Sequence, residues 1–162
     1  MPDIATEFPI ATTTLSSATA TVTFSSIPNT YTDLVLIITG KNPNAAYEIY
    51  GQFNSDTGTN YSNTNMLNNS GTTTSGRITN STTMRFGFSN NDNNSNAIVQ
   101  IMNYANTTTN KTALSRINNP SYQTIAAINL WRSTAAITSI NLTMELAANF
   151  SIGSTFTLYG IL

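Results

Sequence analysis

Two residue types are missing from this chain and a third class is scarce. Among 162 residues there is no cysteine and no histidine, and Asp, Glu, Lys and Arg together make 8%, against roughly a quarter in an ordinary soluble domain. Without cysteine, disulfides and thiolate metal sites are excluded, and the redox compartment cannot be read. Without histidine there is no Ser-His-Asp or Cys-His nucleophile, no HExxH zinc motif and no usual general base near pH 7. Six basic residues against seven acidic ones give a net charge of −1. That offers no electrostatic footprint for nucleic acid and no polybasic run for anionic lipid, so neither nucleic acid nor membrane is expected as a partner. The first ten residues show neither the basic n-region nor the apolar h-region of a secretory signal, and no run approaches a bilayer span. No catalytic residue, cofactor or metal is expected.

What the chain has instead is neutral polarity. Ser, Thr and Asn make up roughly four residues in ten, and they alternate with apolar residues at the period of a strand. The final stretch sets the pattern. From Ser154 onward, Phe156 and Leu158 fall on one face with Leu162, while Thr155, Thr157, Tyr159 and Ile161 fall on the other. This strand is expected to dock between or beside earlier ones, because an uncharged free edge invites pairing, and its second face to meet another sheet or a neighbouring subunit.

Earlier in the chain, Ala18, Ala20, Val22 and Phe24 share one face of a strand. Asp33 to Gly40 is a continuous apolar run, expected to be a central strand covered on both sides. Tyr47, Ile49 and Phe53 alternate with Glu48, Tyr50 and Gln52. Asn54 to Asn60 is a loop, and the polar stretch to Gly76 holds at most one weak strand, around Tyr61 to Leu67. Met84 to Phe88 and Asn96 to Tyr104 read as strands, with Asn90 to Asn96 an exposed turn. Lys111 to Ile117 is the expected hairpin partner of Asn96 to Tyr104, and Asn118-Asn119-Pro120 breaks the pattern. Thr124 to Arg132 and Ile140 to Leu146 complete the set, Leu146 facing inward; a helix over Ala135 to Leu146 is disfavoured by its β-branched content. Nine or ten short strands predict an all-β, single-domain antiparallel sandwich resembling a jelly roll. An extended N-terminal arm and first strand region occupies 1–17, and the sandwich 18–162. Two prolines with Ile4, Phe8 and Ile10 mark the arm.

Candidate sites are few. Among the acids, Asp33, Glu48 and Glu145 have no sequence-defined separation, so a glycosidase pair is not supported over solvated or ion-paired strand ends. Asn54 to Asn60 clusters oxygen ligands around Gly58 but lacks the acids and distal Glu of a calcium loop, which leaves an Asx-rich turn. Trp131, Tyr50, Tyr104, Tyr122 and Tyr159 could stack on sugars or pack in a core or subunit contact.

Gly153-Ser-Thr-Phe-Thr-Leu-Tyr-Gly-Ile161 resembles the closing signature of a family of small virion proteins of tailed bacteriophages. Ile27 to Leu36, Asn103 to Thr108 and Trp131 to Ile137 strengthen the likeness, which runs from about Phe24 onward. The same kind of β-sandwich appears as a capsid cement or decoration protein and as the tip domain of fibres and tailspikes. Absence of a shaft, coiled coil or repeat, and an arm suited to lie across a capsid, favour decoration. The resemblance implies a homo-oligomer, a trimer of jelly rolls, bound to the major capsid protein on the outer surface of a virion assembled in host cytoplasm. Pro2, Ile4, Phe8, Pro9 and Ile10 are then the expected capsid-binding arm, and Trp131, Arg132 and Tyr159 the expected subunit or ligand contacts. The alternatives are a lectin-like receptor-binding domain and, more remotely, a polysaccharide-degrading enzyme.

Overall fold

A strand with one apolar side is stable only where a second layer covers that side. The computed structural model describes residues 6–42, 46–89, 94–119 and 123–162. In chain order the strands are β1 (Glu7–Thr14), β2 (Thr21–Phe24), β3 (Asp33–Gly40), β4 (Tyr47–Phe53), β5 (Tyr61–Asn69), β6 (Thr72–Ser81), β7 (Met84–Ser89), β8 (Ser95–Met102), β9 (Lys111–Asn119), β10 (Gln123–Trp131), β11 (Ile140–Met144) and β12 (Thr155–Ile161).

Eight of them carry the frame. β1, β12, β3 and β8 lie side by side in that order, and β2, β11, β4 and β7 form the facing sheet. Followed along the chain, these strands pass back and forth between the two sheets, which is the jelly-roll arrangement. The remaining four are two hairpins: β5 with β6 between β4 and β7, and β9 with β10 between β8 and β11. Both add to the same side of the first sheet, which grows to eight strands, β1-β12-β3-β8-β9-β10-β5-β6, while the second stays at four. All pairings are antiparallel.

The core lies between the sheets. Leu34, Leu36, Ile38, Val99, Phe156 and Leu158 enter it from the large sheet, and Ile49, Phe53, Phe86, Ile140 and Leu142 from the small one. Phe53 sits between the rings of Phe86 and Trp131, at centroid distances of 5.8 and 5.6 Å. Two glycines make room for rings: a Cβ on Gly51 would run into the Phe86 ring, and one on Gly160 into that of Tyr31.

The closing strand docks as its pattern predicts, β12 pairing with β1 on one side and β3 on the other. β8 and β9 form the expected hairpin. Other expectations need correction. The strand expected from Ala18 starts at Thr21; Ala18 and Ala20 are exposed, and Thr19 makes only a bridge to Phe150. β6 falls in a stretch that reads as loop, because residues 72–80 are exposed on both sides and show no buried, apolar side. Ser95 and Asn96 belong to β8, and Asn118 and Asn119 to β9, since asparagines pair in a ladder as well as any residue. Residues 90–93 and 120–122, which include Pro120 and Tyr122, lie outside the described residues. Leu146 is 80% exposed rather than inward. The chain leaves β11 through a 3-10 turn, Glu145–Ala147, in which Leu146 takes φ 55°. No helix forms over Ala135 to Leu146; β11 begins at Ile140.

The most consequential correction concerns β3. Its inward side chains are buried, but Val35 is half-buried and Ile37 exposed. One face is covered, not two, and the second apolar face looks outward.

Candidate docking face

The outward face of the large sheet follows from register. One row runs Tyr159, Val35, Gln100, Leu114, Ile128 and Thr64 across β12, β3, β8, β9, β10 and β5. The next runs Thr157, Ile37, Ile98, Arg116, Ala126 and Met66 over the same strands. Beyond it lies a row of neutral polar residues spanning the whole sheet: Thr14, Thr155, Thr39, Asn96, Asn118, Thr124, Asn68 and Thr73. Neighbours in this row bond across strands, Thr39 Oγ1 to Asn96 Oδ1 at 3.0 Å and Asn68 Nδ2 to Thr73 Oγ1 at 3.0 Å. The face is therefore apolar at Val35, Leu114, Ile128, Ile37, Ile98, Ala126 and Met66, with Gln100 and Arg116 set among them and a hydroxyl and amide border beyond.

Two shallow grooves share Ile98 and Arg116. One, of about 280 Å³, is walled by Val35, Ile37, Ile161, Gln100 and Glu7. The other, of about 430 Å³, is walled by Asn96, Asn118, Thr124 and Ala126. Glu7 and Arg116 bring one charge of each sign to the first groove. Met66 is 60% and Ile128 57% exposed on this face. Exposed apolar area of this kind, rimmed by polar groups, is the signature of an interaction surface.

The residues expected to make contacts are placed differently. Trp131 is 2% exposed, stacked on Tyr61, with its indole N–H donated to Asp56 Oδ2 at 2.7 Å. It is a core residue and offers no face to a sugar or a subunit, because position 131 falls on the inward side of β10. Arg132, just past the strand, is exposed and donates to Asn80 Oδ1 at 3.0 Å and to the Thr59 carbonyl. Tyr159 lies on the outward face, half-buried beside Val35. Pro2 and Ile4 lie outside the described residues. Phe8, Pro9 and Ile10 are in β1, so from Glu7 the segment lies along its own chain's β12. Phe8 stacks on Tyr31 at 6.0 Å, Pro9 pairs with Tyr159 and Ile10 packs on the core.

The loop after β4 is an Asx turn. Asp56 Oδ1 accepts the Gly58 N–H at 2.8 Å, and Oδ2 accepts from Asn60 Nδ2 at 2.9 Å as well as from Trp131. These donors, the Trp131 bond foremost, hold its carboxyl below the usual value. Protein N–H groups thus fill the oxygens a cation would have used.

The acids Glu48 and Glu145 do come together, where β4 runs beside the end of β11. Glu48 pairs with Arg85 across β4 and β7, and Glu145 Oε2 accepts the Glu48 N–H at 3.3 Å. Burial raises the Glu48 carboxyl above its usual range, Arg85 opposes this, and Glu145 adds to it. Burial also pushes the neighbouring Tyr50 up to about 12, with Glu48 and Glu145 contributing. Asp33 accepts the Asn103 N–H at 2.8 Å. Tyr104 is buried, its hydroxyl donating to the Pro28 carbonyl.

Sequence reasoning does not single out Val35, Ile37, Ile98 and Arg116. For Val35 and Ile37 the signal is present in the unbroken apolar run of β3, which reads equally as two-sided burial within one chain. Fold and face together define a jelly-roll domain whose large sheet has an outward face that no described residue covers. Comparison with protein-family models, curated proteins and solved structures gives no match.

Proposed function

We propose that this chain is a structural binding protein of a tailed-phage virion, a capsid cement or decoration protein. Its large sheet docks on the major capsid protein, and repeated copies, as trimers, reinforce the head from outside. One observation carries the reading: the outward face of the large sheet is apolar along Val35, Ile37 and Ile98, bordered by neutral Thr and Asn, and covered by nothing among the described residues. Burying such a face against a protein lattice gains apolar area, while the hydroxyl and amide border supplies hydrogen bonds at little desolvation cost. Firm attachment needs roughly a thousand Å² or more of buried surface, and an eight-stranded sheet is broad enough to supply it. Many symmetric copies add avidity.

The test is occupancy of purified heads lacking the protein. Wild type is expected to bind saturably, and Ile98→Asp, which alters an outward side chain, to keep its circular dichroism and lose binding. Undiminished occupancy by Ile98→Asp overturns the assignment of this face.

A further inference from the structure

We infer that β6 is a pairing edge for a second copy of this chain, joined antiparallel about a two-fold axis at Ser75. Unpaired strand edges are aggregation hazards that proteins blunt by recognisable devices, and the described strands leave four. β1 carries Pro9 and a register shift before Ala11. β2 is four residues long. The backbone of β7 is held by side chains, Asn129 and Ser115 both binding Arg85. β6 has no such device along most of its length. It is the longest strand described, ten residues without proline and with one charge, Arg77. It projects past the small sheet, and residues 72–80 are exposed on both sides.

The regular part of β6 defines the register. Pairing with β5 runs without interruption from Thr72 to Ile78 and shifts only near the far end, where Asn80 takes φ 56°. A two-fold axis normal to an antiparallel sheet sets a residue against its own copy. Placed at Ser75, the centre of the regular stretch, it uses the whole of that stretch. Each Arg77 then faces Thr73 of the other copy, whereas an axis at Arg77 would oppose two like charges. The exposed Met66, which pairs with Ser75 across β5 and β6, then flanks the axis on both sides. The large sheets of two copies become one. This contact runs along the edge of the large sheet, next to the capsid-facing surface with which it shares Met66 and Thr73, and stands whether or not the chain also forms trimers.

The absence of cysteine makes the test direct. Ser75→Cys is expected to give a covalent dimer under mild oxidation, while Thr12→Cys, on the proline-blunted edge, stays monomeric on denaturing gels. Ser75→Lys, which opposes two ammonium groups at an exposed position, is expected to weaken dimerisation at least about tenfold, roughly 1.4 kcal/mol, with an unchanged fold. The inference is overturned if the Ser75→Cys variant does not cross-link, or if light scattering finds the dimer undisturbed by Ser75→Lys. Pairing of β6 only with an acidic strand from another protein would overturn it equally.

Discussion

Asn129 of β10 grips the backbone of Arg85 in β7 at both of its polar groups: Oδ1 accepts the Arg85 N–H at 3.0 Å and Nδ2 donates to the Arg85 carbonyl at 3.2 Å. Ser115 Oγ adds a bond to the same carbonyl at 3.0 Å and receives one from Asn129 Nδ2 at 3.0 Å. An amide side chain thereby completes a strand edge that has no strand beside it, and ties the two sheets together. Asn129→Leu is expected to lower stability by about 1–3 kcal/mol, since it leaves the Arg85 N–H without an acceptor and the carbonyl with Ser115 alone. Urea denaturation checks this. Asn129→Asp, which cannot donate to the carbonyl when ionised, is expected to be at least as destabilising at neutral pH and to recover in part on acidification.

Gly51 has no room for a side chain because the Phe86 ring occupies it. Gly51→Ala is expected to cost about 1–3 kcal/mol through overpacking. In Phe86→Leu the same glycine substitution should cost clearly less, although Phe86→Leu is itself destabilising. A double-mutant cycle measured by thermal unfolding reads the coupling.

Asp56 is tied to Trp131, Asn60 and Gly58, and its folded carboxyl lies below the usual value. Such a group contributes stability above its unfolded pKa and loses that contribution as pH falls through the folded value. Asp56→Asn is expected to cost about 1–2 kcal/mol at pH 7, with the gap from wild type closing on acidification. Trp131 fluorescence gives the local readout.

Lys111 is buried, and its ammonium donates to the carbonyls of Thr109 at 2.8 Å and Thr134 at 3.1 Å. Burial lowers its pKa from the usual lysine value. Between the folded and unfolded pKa the unfolded chain binds more protons, so wild-type stability gains from this residue as pH rises through that window. Lys111→Met lacks the gain. The stability difference is expected to move in favour of wild type on going from neutral to alkaline pH, followed by urea denaturation at each pH.

The parts of the fold legible in the sequence are those with one clearly apolar side. β4, β10, β11 and β12 each bury alternate residues against the core, and period two finds such strands. β6 is illegible for the same reason reversed: Thr72 to Asn80 buries nothing, so no contrast exists between its faces. Jelly-roll order is set by pairings between strands far apart in sequence, which local pattern does not encode. At the candidate site, residue type alone marks Trp131 as an aromatic suited to contact, whereas its parity with Ile125 and Ala127 places it inside. Val35 and Ile37 read as core because an apolar run looks the same whether its second cover comes from this chain or another.

β12 lies between β1 and β3, two strands from the opposite end of the sequence. The middle of the frame therefore cannot form until the longest loops in the chain have been closed, and that entropy is lost before the contacts compensate it. Refolding should accordingly be slow, in the range of milliseconds to seconds expected of high-contact-order β proteins. Until then Phe156 and Leu158 remain in solvent, together with the β1 and β3 edges that receive them. The interval before β12 docks is when the chain is most exposed to misassociation.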